Sequence, residues 1–176
     1  MSEPAPELSR PIKLRQIPND PVVIEADKAE RAALAERFGV VAIESLRAEM
    51  TLDPEGRKID AAGSLEADIV QTCAVSGEEF PVRIDEDFAL VFVPRTEHEP
   101  ADEDIEIELE REELDEVEYE GDSFDLGEAI AQSLALAIDP YAEGPNADVV
   151  RKEKGLDSDD TPKGPLAEAL AGLNKN

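Results

Sequence analysis

The sequence predicts an α+β fold: a curved antiparallel β-sheet, barrel-like at the limit of its curvature, with two packed helices and a flexible C-terminal tail. Three observations predict it. Between residues 46 and 92, three stretches alternate apolar and polar side chains, and short turn signals join them. Residues 27–39 and 123–138 carry apolar side chains at helical spacing. Leu, Ile, Val and Phe crowd between residues 10 and 140 and thin out on either side, which places one core there.

The elements follow in order. Residues 1–9 contain Pro4 and Pro6 and read as a disordered lead. Pro11-Ile12-Lys13-Leu14-Arg15 alternates apolar with basic residues and suits a half-buried strand. Pro18-Asn19-Asp20-Pro21 breaks the chain, and Val22-Val23-Ile24 reads as a second strand. Asp27 with Glu30 three residues on forms a capping signal for a helix that Leu34 and Phe38 orient and Gly39 stops.

Leu46, Ala48, Met50 and Leu52 then share one face. After the turn signal Asp53-Pro54-Glu55-Gly56, Ile59, Ala61, Gly63, Leu65, Ala67 and Ile69 share another. After Ser76-Gly77, the run Phe80, Val82, Ile84, Phe88, Leu90, Phe92 completes a sheet with one wet face. Strands this long usually bend, and Gly63 is the candidate position. Leu126, Ile130, Leu134 and Ile138 mark the second helix over 123–138, with Asp125 and Glu128 as a capping arrangement and Asp139-Pro140 as its end. The domain thus spans residues 10–140. Residues 141–176 read as a mostly flexible tail with a short helix near 165–173, where Leu166, Leu170 and Leu173 fall on one face. Nine residues are too few for a stable isolated helix, so this segment must dock on the body or on a partner.

Charge narrows the function. The 176 residues carry 17 Lys+Arg against 44 Asp+Glu, a net charge of −27. A general nucleic-acid-binding surface needs clustered bases, and this chain lacks them. No apolar run approaches the ~20 residues that span a bilayer, and the N-terminus has no apolar stretch of secretory type. A single Cys forms no internal disulfide. The expected compartment is therefore the cytoplasm.

Residues 97–120 concentrate the charge, with 14 acids and one base, Arg111. Ile105, Ile107 and Leu109 alternate with Glu106, Glu108 and Glu110, and Val117 and Tyr119 with Glu116, Glu118 and Glu120, so both pieces suit acidic edge strands. Two readings stand. One is a solvated edge that deters sheet-to-sheet pairing. The other is a docking surface for a basic protein, because like charges at this density repel and a cationic partner relieves them. The candidate protein-binding residues are Glu106, Glu108, Glu110, Glu112, Glu113, Asp115, Glu116 and Glu118, with Leu166, Leu170 and Leu173 as an apolar anchor.

Other chemistry is weakly marked. Cys73 ends a strand, and its only available base is His98, inside the acidic run; a small apolar role is the simpler reading. One Cys and one His are too few for a structural zinc. No phosphate-cradling motif occurs. No catalytic residue, metal or cofactor is expected. Arg10, Lys13 and Arg15 form a small basic patch that reads as the wet face of a strand. Two alternatives from other classes are a nuclease using clustered carboxylates and a metal, and a nucleic-acid mimic.

Residues 69–88, Ile-Val-Gln-Thr-Cys-Ala-Val-Ser-Gly-Glu-Glu-Phe-Pro-Val-Arg-Ile-Asp-Glu-Asp-Phe, resemble the central signature of the YceD family. So does an acidic stretch followed by Phe124-Asp-Leu-Gly-Glu-Ala-Ile130, and residues 164–173 are similar to the ending of its alphaproteobacterial branch. The resemblance runs in order from about residue 10 to 173. It implies a role in 23S ribosomal RNA accumulation or processing and in large-subunit assembly, with no enzymatic step. The partner it implies, joined to the charge argument, is a basic ribosomal or assembly protein, with RNA association indirect or weak and no membrane. Many relatives carry a second Cys three residues after the first and a later Cys cluster, as zinc binders would. Here Ser76 stands at the first of those positions and no Cys follows Pro140, so the zinc implication does not carry over.

Overall fold

The computed structural model describes residues 6–95 and 116–155. They fall into two compact units. The first holds residues up to Gln71 together with Pro81–Asp139, and the second holds Thr72–Phe80 and the chain from Pro140 onward.

The first unit is an α+β arrangement around a five-stranded sheet. Its strands run β2 (Val22–Glu25), β3 (Ala42–Glu55), β4 (Lys58–Thr72), β5 (Glu79–Pro94) and β6 (Glu116–Tyr119), in that spatial order. Among the described residues β2 and β6 do not pair with each other, so the sheet does not close into a barrel. It is mostly antiparallel, but β6 runs parallel to β5, pairing Phe92 with Val117 and Pro94 with Tyr119. Alternation along a strand reports faces and not direction, so the sequence pattern could not fix this. The connection 96–115 has the length that a parallel crossover needs.

The β3–β4 ladder shows why the alternating sequence folds this way. Leu46 pairs with Ala67, Ala48 with Leu65, Met50 with Gly63, and Leu52 with Ala61. Each pair sets a large side chain against a small one on the buried face. Neighbouring strands therefore interdigitate without overpacking. A bulge between Ile43 and Ser45 shifts the register. It lets Ile43 and Leu46, three residues apart, both point inward. That shift hid the first turn of the ladder from a period-two reading, which began at Leu46.

Helix α1 (Lys28–Phe38) has the expected capping box. The Asp27 carboxylate accepts from the N–H groups of Ala29 and Glu30, and the Glu30 side chain accepts from the Asp27 N–H. Gly39 closes the helix with a left-handed φ of 68°. Helix α1 packs on β3 through Leu34 and Ala35. Helix α2 (Leu126–Ala137) buries Leu126, Ala129, Ile130, Ala131 and Leu134. It starts three residues later than the sequence spacing suggests. Ser123–Asp125 forms a short strand, β7, paired with β1 (Pro11–Lys13), and a 3-10 turn takes Leu14–Gln16.

The chain ahead of β1 is partly fixed. Leu8 is fully buried in the core. The Asp125 carboxylate holds this segment, accepting from the Ser9 hydroxyl and the Arg10 N–H while it also caps α2 through the Glu128 N–H. A side chain at Gly127 would stand 2.8 Å from the Leu8 carbonyl oxygen and the Arg10 nitrogen, so glycine is what admits the close passage. The sequence reading placed Leu8 in a disordered lead because one apolar residue between prolines carries no period.

In the second unit, Gly77 at φ 74° turns the Thr72–Phe80 segment back on itself, and helix α3 spans Ala147–Glu153. The sequence reading contained no helix there. The expected strand near 105–109 and the expected helix near 165–173 lie outside the described residues.

Candidate acidic docking surface

The outer edge of the sheet is built by alternation. In β6, Tyr119 is buried and Val117 half-buried, while Glu116 and Glu118 are exposed. Three aromatic rings fix the strand. Phe92 and Phe124 lie 4.3 Å apart between centroids, and Tyr119 lies 6.3 Å from Phe124. The Tyr119 hydroxyl donates to the Arg57 carbonyl at 2.7 Å, which ties the edge strand to the β3–β4 turn. With the inward residues locked, Glu116 and Glu118 project outward.

Arg95 is the base that the sequence reading missed at this edge. Its Nη1 lies 2.6 Å from Glu120 Oε1 and its Nε 3.7 Å from Glu118 Oε2. All three side chains are exposed, so the pairs add little stability. Arg95 directly precedes the acidic run in sequence, and that adjacency was the available signal.

Elsewhere in the first unit four arginines, Arg10, Arg37, Arg47 and Arg83, pair with carboxylates of that unit. Arg83 reaches Glu66 and Asp68 at 3.1 and 2.9 Å, and Arg47 reaches Glu49 at 3.0 Å and Glu25 at 3.6 Å. The Ser45 hydroxyl, with Arg83 beside it, holds the Asp68 carboxyl below the usual range. Arg37 bridges Glu7 and Glu128, and both raise its pKa. The sequence-level basic patch also divides. Arg10 forks onto Glu30 at 2.7 and 3.0 Å and donates to the Ser9 and Glu25 carbonyls, while Lys13 and Arg15 remain exposed. Arg10 therefore secures the start of α1. The excess acid is left to set the outward field.

Of the candidate protein-binding residues, the structure describes Glu116 and Glu118 and exposes both. Glu106, Glu108, Glu110, Glu112, Glu113, Asp115, Leu166, Leu170 and Leu173 lie outside the described residues, as does His98.

Cys73, in the second unit, is 2% exposed. Its Sγ accepts from the N–H groups of Val75 and Ser76 at 3.4 and 3.3 Å. The Ser76 hydroxyl, followed by the backbone N–H groups of Ser76, Gly144 and Val75, lowers the thiol pKa to about 7. Burial keeps it from a substrate. Among the described residues no group of three or more His, Cys, Asp and Glu side chains is placed to hold a metal ion, and no helix is long and apolar enough to cross a membrane.

No curated protein and no solved structure matches this chain. A family model does match, over residues 61–169, and its span takes in most of β4, then β5, the acidic run, the β6 edge and α2. Its description names accumulation of ribosomal RNA and no reaction. The resemblance carried by the Cys73 turn and by the segment opening α2 is thereby established: the chain belongs to the YceD family, the large ribosomal RNA subunit accumulation proteins.

Proposed function

We propose that this protein supports 23S ribosomal RNA accumulation and large-subunit assembly without catalysing a reaction, by binding a basic ribosomal or assembly protein on its acidic surface. One observation carries the reading. Glu116 and Glu118 stand exposed along a sheet edge, Arg95 is the base that reaches that edge among the described residues, and Arg10, Arg37, Arg47 and Arg83 pair with other carboxylates of the same unit. Among the described residues that edge sets three acids, Glu116, Glu118 and Glu120, against the one Arg95, which leaves a net negative field. A cationic protein would be steered to it and would lower the self-repulsion of a chain at −27. RNA, itself a polyanion, would be contacted weakly or through that partner.

The test is co-purification from native lysate at low and moderate salt. Ribosomal or assembly proteins should be recovered, and recovery should fall as salt rises, because exposed charges are screened. Neutralising the glutamates from 106 to 120 should abolish it while the fold persists. Tight capture of protein-free ribosomal RNA would overturn the reading.

A further inference from the structure

An open groove of about 620 Å³ lies between α2 and the β5–β6 edge. Its apolar lining includes Phe88, Val117 and Leu136, and its rim carries Glu86, Asp87 and Glu116. Leu136 is the notable member. It is 89% exposed, on a helix whose Leu126 and Leu134 are fully buried. Phe88 and Val117 are only half-buried. The sheet edge and the helix thus leave a strip of apolar surface bordered by three carboxylates.

We infer that this groove seats a short amphipathic segment of a basic protein, with large apolar side chains against Phe88, Val117 and Leu136 and Lys or Arg against Glu86, Asp87 and Glu116. The inference rests on the proposed function and adds the place and the chemistry of contact. Charge decides the occupant. Residues 96–115 carry eleven acids and one Arg, and residues 156–176 carry four acids and two Lys. A second copy brings −27. Residues 96–115 and a second copy would set like charge against the rim, and residues 163–176, with two Lys against one Glu, bring a net charge of only +1. A cationic segment gains at the rim and buries the exposed leucine together. The acidic rim alone would hold any cation; the apolar floor asks for a partner with a hydrophobic face.

The probe is a synthetic 16-residue peptide of Leu and Lys with leucines at helical spacing, alongside a matched peptide with Ser in place of Leu. Binding to the full chain is followed by fluorescence anisotropy. The Leu/Lys peptide should bind the wild type more tightly than the Ser/Lys peptide does. Leu136→Ser should weaken the Leu/Lys peptide about tenfold and leave the Ser/Lys peptide unchanged. Glu116→Lys should weaken both. Leu136 is exposed, so its replacement spares the fold, and an unchanged melting temperature checks that. Equal binding of the two peptides to the wild type, or no loss on Leu136→Ser, overturns the groove and leaves the electrostatic reading standing. Failure of every cationic peptide to bind overturns both. A photocrosslinking side chain at position 136 should mark the Leu/Lys peptide. Marking residues 156–176 or a second copy instead would make that element the occupant and overturn the inference.

Discussion

Replacing Gly63 by Ala puts a methyl group into the middle of the β3–β4 ladder, where there is no room for one. The new Cβ would fall inside the contact shell of the Glu49 carbonyl oxygen, 2.9 Å from its carbon and 2.8 Å from Met50 Sδ. Carbon contacts normally settle at about 3.5–4.0 Å. Met50 is fully buried, and the carbonyl belongs to a paired strand. A flexible thioether can shift, but a ladder carbonyl cannot do so without opening its hydrogen bonds. Overpacking costs about 1–3 kcal/mol, and a broken ladder bond about 1 kcal/mol. Removing a glycine from a strand returns about 0.5–1 kcal/mol of backbone entropy. The balance is a loss of about 1–3.5 kcal/mol, or roughly 2–14 °C in melting temperature for a chain of this size. Thermal and urea unfolding followed by far-UV circular dichroism measures it. The neighbouring exposed Ala62→Ser is the control and should change little. A Gly63→Ala protein melting within about 1 °C of the wild type would refute the packing argument.

Three further outcomes are expected. Glu30→Gln removes the fork from Arg10 and should cost about 1 kcal/mol at neutral pH. The Arg10 hydrogen bonds hold the Glu30 carboxyl below its ordinary value. Its contribution is therefore complete above the unfolded pKa and is lost as pH falls through the folded one, so the melting-temperature gap between wild type and variant should narrow below about pH 4. Tyr119→Phe loses the hydroxyl bond to Arg57 and should cost about 1 kcal/mol in urea unfolding, with the aromatic cluster kept. Ser76→Ala should raise the Cys73 thiol from about 7 toward the ordinary thiol range, seen as a rightward shift of the thiolate absorbance in a pH titration.

Local rules with a short reach were legible in the sequence. The Asp27–Glu30 capping box, the Gly39 stop and the inward faces of β3 and β4 each depend on residues a few positions apart, and each stands in the structure as the spacing implied. The family was also legible, because the Cys73 turn and the segment opening α2 are contiguous strings. The acid excess was plain from composition, and the exposure of Glu116 and Glu118 followed from alternation with Val117 and Tyr119.

Only the tertiary structure decided what depends on partners far along the chain. The parallel pairing of β6 with β5 is one that alternation along the strand leaves open. Leu8 gains its buried place from Asp125 and Gly127, more than a hundred residues away, and Arg10 leaves the basic patch because Glu30 comes within reach. The exposure of Leu136 is of the same kind. A helical period marks it as apolar, and only the position of α2 beside β5 and β6 determines that nothing among the described residues covers it. Periodicity assigns a side chain to a face; whether that face meets core, solvent or a groove is set by elements the local sequence does not contain.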